Sequence, residues 1–203
     1  MPLLQSPLAA ILGAGPAGLM AAEVLSAAGV EVHVYDAMPS AGRKFLLAGK
    51  GGLNLTHSEP LPSFIERFGE QAAVVGDWLH DFGPQAVRDW AAGLGVGTFV
   101  GTSGRVFPTE MKAAPLLRAW LHRLRHPRAP GAVPVRFHMR HRWVGWGDAA
   151  VTPESIAAGA GQASAGGLFV FESPAGCVGL APAAALLALG GASWPRLGSD
   201  GAW

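Results

Sequence analysis

Leu8 to Leu12 is a run of five apolar residues closed by Gly13, the length and composition of a strand buried on both faces. Apolar residues then recur at helical spacing from Ala17 to Ala28. Pro16 suits the first turn of that helix and Gly29 its end. Val30, Val32 and Val34 alternate with polar residues and predict a second strand, closed by Asp36. The three segments form a βαβ opening, with Ala22, Leu25 and Gly29 expected on the helix face toward the sheet. Further along, the pattern predicts helices over Gln71–Phe82, Pro84–Leu94 and Ala113–His126, within a helical segment of about 63–126. Strands are expected at Gly97–Val100, Val133–Trp143, Leu168–Glu172 and Ala185–Leu189. A turn is expected at Gly104–Pro108 and an Ala/Gly/Ser-rich loop at Ala157–Gly167. The pattern as a whole is that of an α/β chain with a Rossmann-like domain.

Composition changes this picture little. Charged residues make up 14% of the 203 and the net charge is +1, which argues for no particular partner. The basic residues are uneven: Met111 to Gly147 holds eight Lys or Arg and no acid. A solvated face accounts for that stretch better than a nucleic acid does. Cys177 is the sole cysteine, so a disulfide framework and a cysteine metal cluster are both ruled out, which fits a reducing cytoplasm. The apolar start is expected to be neither a leader nor a membrane span. It has no Lys or Arg before Arg43, and Glu23 interrupts it.

Glycine is abundant, with 29 residues, and one cluster carries chemistry: Gly13-Ala14-Gly15-Pro16-Ala17-Gly18. A G-x-G-x-x-G alone is a weak signal. Here it has a strand before it, a helix and a second strand after it, and an acid 18 residues beyond Gly18. Each part has a task in holding a dinucleotide. Gly13 permits the turn, Gly15 admits a pyrophosphate against the backbone, and Gly18 lets helix and sheet pack closely. The helix N-terminus, with Pro16 and Ala17 in its first turn, offers N–H groups and partial positive charge to phosphates. Asp36 can accept hydrogen bonds from ribose hydroxyls. FAD and NAD share these requirements, although a fingerprint at the very N-terminus is common in flavoproteins.

A second stretch chooses between them. Gly42-Arg43-Lys44-Phe45-Leu46-Leu47-Ala48-Gly49-Lys50-Gly51-Gly52-Leu53-Asn54-Leu55-Thr56-His57 resembles a signature of the BaiN-like family of NAD(P)/FAD-dependent oxidoreductases. The wording is similar to that of its aminoacetone-oxidase-type subgroup. Gly104–Pro108 and the Leu189–Gly201 segment, with Gly190 and Gly191, match further family motifs in order. The resemblance implies FAD as cofactor, with NAD(P)H as a candidate reductant, and a small-molecule substrate. It also implies amine oxidation or reduction of an unsaturated substrate. Arg43 and Lys44 would neutralise pyrophosphate charge. Gly49, Gly51 and Gly52 would let backbone approach the isoalloxazine, Gly42 would belong to the cofactor-binding stretch that they continue, and Asn54 and Thr56 would hold that loop. Gly190 and Gly191 would return to the cofactor.

The chain departs from the family where Gly52-Leu53 stands for Arg-Cys and Leu189 for Thr, so roles of those side chains do not carry over. The family's members are longer, so residues 1–203 are expected to be an incomplete, N-terminal FAD-binding portion lacking a downstream substrate domain, and inactive by themselves. His57 is expected to be a turn residue, the tryptophans to be packing residues, and no catalytic acid or base is apparent. A flavoprotein acting on tRNA and a non-catalytic FAD-binding fragment are the alternatives.

Overall fold

A computed structural model describes residues 8–48, 51–147 and 168–191. The chain divides into two compact units, residues 1–44 with 124–203, and residues 45–123.

The first unit is built on a parallel sheet. β1 (Leu8–Leu12) pairs with β2 (Glu31–Asp36) on one side and with β10 (Ala184–Leu187) on the other, and β6 (Arg136–Met139) extends the β2 edge. The crossover from β1 to β2 is helix α1 (Pro16–Ala27). Alternation along each strand assigns the two faces of the sheet. Ile11, Val32 and Val34 are fully buried on the helical side. There α1 contributes Gly18, Leu19, Ala22 and Ser26 as its buried residues. The expected helix face is thus corrected: Ala22 is on it, but Leu25 is only half-buried and Gly29 is exposed, in the left-handed region at φ +79°. Burial follows a stripe through Gly18, Ala22 and Ser26, and the small residues let helix and sheet approach closely.

The opposite face, Ala10, Leu12 and Tyr35, packs on a three-stranded antiparallel sheet. Its order is β7 (Arg142–Gly147), β8 (Leu168–Ser173), β9 (Gly176–Leu180). Phe169 and Phe171 of β8 are buried against that face, with Trp143, Trp146 and Leu189 around them. The single strand expected at Val133–Trp143 is two strands in different sheets. Arg140 adopts φ +60° between them and turns the chain from one layer to the other.

The second unit holds helices α3 (Leu61–Glu66), α4 (Ala72–Asp81) and α5 (Pro84–Gly93), most of α6 (Ala113–Arg125), and an antiparallel sheet. In that sheet β5 (Arg105–Pro108) lies between β3 (Thr56–His57) and β4 (Thr98–Val100). The turn expected at Gly104–Pro108 is therefore a central strand, with Val106 fully buried. Its core joins Leu53, Ala91, Ala113 and Leu116, and Trp120 meets Trp90 edge-on at 4.8 Å. Helix α2 (Arg43–Ala48) occupies a stretch for which the pattern predicts no element. The loop expected at Ala157–Gly167 lies outside the described residues. No helix among the described residues is long and apolar enough to cross a membrane.

Candidate functional site

The strands of the parallel sheet end together, and their exits surround a cleft of about 580 Å3 in the first unit. Gly13, Gly15, Pro16, Ala17, Asp36, Gly42, Arg43, Lys44 and Gly190 all line it. Residues far apart in sequence are brought together because parallel strands place their C-terminal ends on one side of the sheet.

The three fingerprint glycines meet different surroundings. Gly13 adopts φ +111°, and a Cβ there would strike the carbonyl oxygen of Ala188 at the end of β10. A Cβ on Gly18 would strike the Gly13 carbonyl and lie 3.2 Å from Ile11 Cγ2. Gly15 has an ordinary extended backbone, and a Cβ on it would meet nothing within 4 Å. The fold requires the first and third glycines. The second keeps open a space in front of α1, where the first-turn N–H groups have no intrahelical acceptor.

Asp36 shapes the same loop. Its Oδ2 accepts the Ala14 N–H at 2.7 Å and its Oδ1 accepts the Met38 N–H at 2.8 Å. One carboxylate thus ties the glycine turn to the exit of β2. An ionised carboxylate has about four acceptor positions, so each oxygen keeps capacity for a ligand hydroxyl. Main-chain bonds complete the rim: Gly13 N–H to the Tyr35 carbonyl at 2.7 Å, Gly42 N–H to Ala14 at 2.9 Å and Ala188 N–H to Leu12 at 2.7 Å.

Positive charge comes from the start of α2. Arg43 and Lys44 both line the cleft, and the Nε of Arg43 is buried with no hydrogen-bond partner. A buried guanidinium donor without an acceptor is costly and marks a place where an anionic group fits.

Other expected residues lie elsewhere. Gly18 is behind the helix start. Gly49 is outside the described residues. Gly51, Gly52 and Asn54 belong to the second unit, where Gly52 takes φ +112° and the Asn54 amide, turned to present its nitrogen, reaches the Thr56 and Val106 carbonyls at 2.8 and 3.2 Å. Asn54 thereby ties its own segment to Thr56 and Val106. Gly191 follows Gly190 but does not line the cleft. His57 is in β3: its Nδ1 accepts the Glu59 N–H at 3.2 Å and its Nε2 lies 3.0 Å from the Ser103 carbonyl.

Sequence reasoning missed a further part of the cleft lining, formed by Tyr35, His141, Arg142, Trp143 and Phe171. Tyr35 stacks on His138 at 4.5 Å and on Phe171 at 4.6 Å. Burial raises the phenol's pKa. His138 is held below the usual imidazole value, by burial first and then by His33, His141 and Arg136. Trp143 and Trp146 are three residues apart, which breaks strand alternation, and nothing local ties them to the fingerprint.

A βαβ unit with its glycine turn, acid and basic helix start, covered by an antiparallel sheet, defines a Rossmann domain. The chain belongs to the family of the HI0933-like protein Rossmann domain, whose profile matches residues 8–203. Among solved structures, it is similar to the open conformation of a flavocytochrome c3 fumarate reductase, at 16% identity and TM-score 0.64, over 92% of this chain and 34% of that one. It is also similar to the 3-ketosteroid-delta4-(5alpha)-dehydrogenase of Rhodococcus jostii RHA1, at 14% identity and TM-score 0.56, over 93% and 47%. A third likeness is to the Mycobacterium smegmatis Sdh1 complex, at 16% and 0.56, over 93% and 35%. These likenesses establish the fold. The chain spans between a third and a half of the length of these neighbours. No curated protein matches it in sequence.

Proposed function

We propose that the cleft binds FAD and that the chain is the cofactor-binding portion of a flavin-dependent oxidoreductase. The observation that carries this reading is Gly15. It is the one fingerprint glycine whose missing Cβ faces open space, and that space lies at the N-terminus of α1. A pyrophosphate fits there, with Arg43 supplying a donor that otherwise has no acceptor. Asp36, tied to the turn by the Ala14 N–H that it accepts, would meet the neighbouring ribose.

FAD, when bound, supplies hydride transfer; the residues of this cleft bind and orient its adenosine diphosphate half. The signature from Gly42 to His57 supports a closer assignment, to a BaiN-like oxidoreductase of the aminoacetone-oxidase type. Such an enzyme oxidises a small amine, or reduces an unsaturated small molecule with NAD(P)H as the electron source, in the cytoplasm. The roles of Gly49, Gly51 and Gly52 near the flavin ring rest on that resemblance alone.

Titration of the full chain with FAD, FMN and NAD, followed by flavin fluorescence or calorimetry, tests the reading. FAD is expected to bind saturably, with ADP competing and FMN at least tenfold weaker. FMN binding as tight as FAD, without competition by ADP, would reject a cradle for the adenosine diphosphate half.

A further inference from the structure

We infer that His141 reads the base of the bound dinucleotide, its Nε2 accepting a hydrogen bond from the exocyclic amine of adenine. The inference rests on the dinucleotide reading above and adds a specificity-determining residue to it. Phosphates at the helix start and a ribose at Asp36 leave the base beyond Asp36, on the side away from α1. That is where His141 stands: its own N–H donates to the Asp36 carbonyl at 2.9 Å, and the residue lines the cleft.

The chemistry of the ring follows from its other nitrogen. Nδ1 is 3.0 Å from the Met139 carbonyl oxygen. A carbonyl can only accept, so Nδ1 carries the proton. In the neutral ring Nε2 is then a lone-pair acceptor. The ring is held in place edge-on to Tyr35 at 5.9 Å and to His138 at 5.5 Å. Trp143 and Phe171 in the same lining supply aromatic surface beside it. An acceptor fixed at this point favours a base with an amine there. Hypoxanthine places a carbonyl oxygen at the same position, and acceptor would then face acceptor. Arg142, the neighbouring donor, is exposed.

The test compares FAD with its inosine analogue, made by deaminating the adenine, on the full chain. The wild type should prefer FAD by about tenfold, the worth of one hydrogen bond made against one left unmade. His141→Phe should bring the ratio close to one, chiefly by weakening FAD. Equal binding of both dinucleotides by the wild type overturns the inference while leaving the dinucleotide reading intact, and it does so even if the variant fails to fold. An undiminished preference in a folded His141→Phe, or a preference for the inosine form, overturns it as well. Binding of neither compound removes both readings together.

Discussion

Gly13, Gly15 and Gly18 lie within six residues, yet three different constraints hold them to glycine. The first needs a positive φ and the third a close backbone approach, while the second is free of both. Gly18→Ala should therefore lower stability by about 1–3 kcal/mol through overpacking against the Gly13 carbonyl and Ile11, measured by chemical denaturation without any ligand. A wild-type midpoint in that variant would show that helix and sheet can separate at no cost. Asp36 also has more than one task. Its two backbone bonds shape the loop before a ligand arrives. Asp36→Ala should weaken FAD binding by about 1.5–3 kcal/mol, roughly tenfold to hundredfold. It should also lower the melting temperature of the ligand-free chain, which a residue that only touches ribose would leave unchanged. The sequence offers Asp36 as a candidate ribose acceptor because the spacing from the fingerprint is a local signal. Its bond to Ala14 depends on the tertiary turn and could not be read from spacing.

Elements with strong local patterns, β1, α1, β2, α4, α5 and α6, fall where periodicity places them, within a residue or two. Those that differ do so because tertiary pairing overrides local chemistry. Gly104-Arg105-Val106-Phe107-Pro108 looks like turn sequence, but Val106 pairs with Val100 on one side and Thr56 on the other. The strand at Val133–Trp143 divides at Arg140 because β6 and β7 join different sheets, a choice that alternation does not register. The burial of Ser26 in α1 is a similar case. Its hydroxyl donates to the Val133 carbonyl at 2.6 Å, and its own carbonyl accepts the Val133 N–H at 3.1 Å, fastening the helix to a segment 107 residues away. Ser26→Ala leaves the Val133 carbonyl short of its donor and should cost about 1–3 kcal/mol in a urea melt. No change would mean that water takes over the bond. At this scale the glycine loop was legible in the sequence, while the aromatic wall of Tyr35, Trp143 and Phe171 was not, because three separate elements build it.

Across the whole molecule, titration and ligand binding give the broadest tests. His138 has a depressed pKa, so the folded chain binds fewer protons than the unfolded one just below the ordinary imidazole value of about 6.5. Its contribution to stability is present above that value and is lost as pH falls through the folded pKa. Tyr35 acts at the other end. Its raised pKa keeps the proton on in the folded state, so its contribution is full below about pH 10 and is lost as pH rises through the folded value. Melting temperatures across pH should fall at both ends, and His138→Phe should flatten the acid side; an unaltered acid limb would place the sensitive group elsewhere. The central claim is that the space in front of α1, kept open by Gly15, holds the pyrophosphate of FAD. Gly15→Val tests it most directly, because a Cβ there has no neighbouring atom within 4 Å and the fold should stay intact. The account predicts a circular dichroism spectrum and melting temperature close to wild type, together with loss of saturable FAD binding. A variant that folds and binds FAD with wild-type affinity would contradict it.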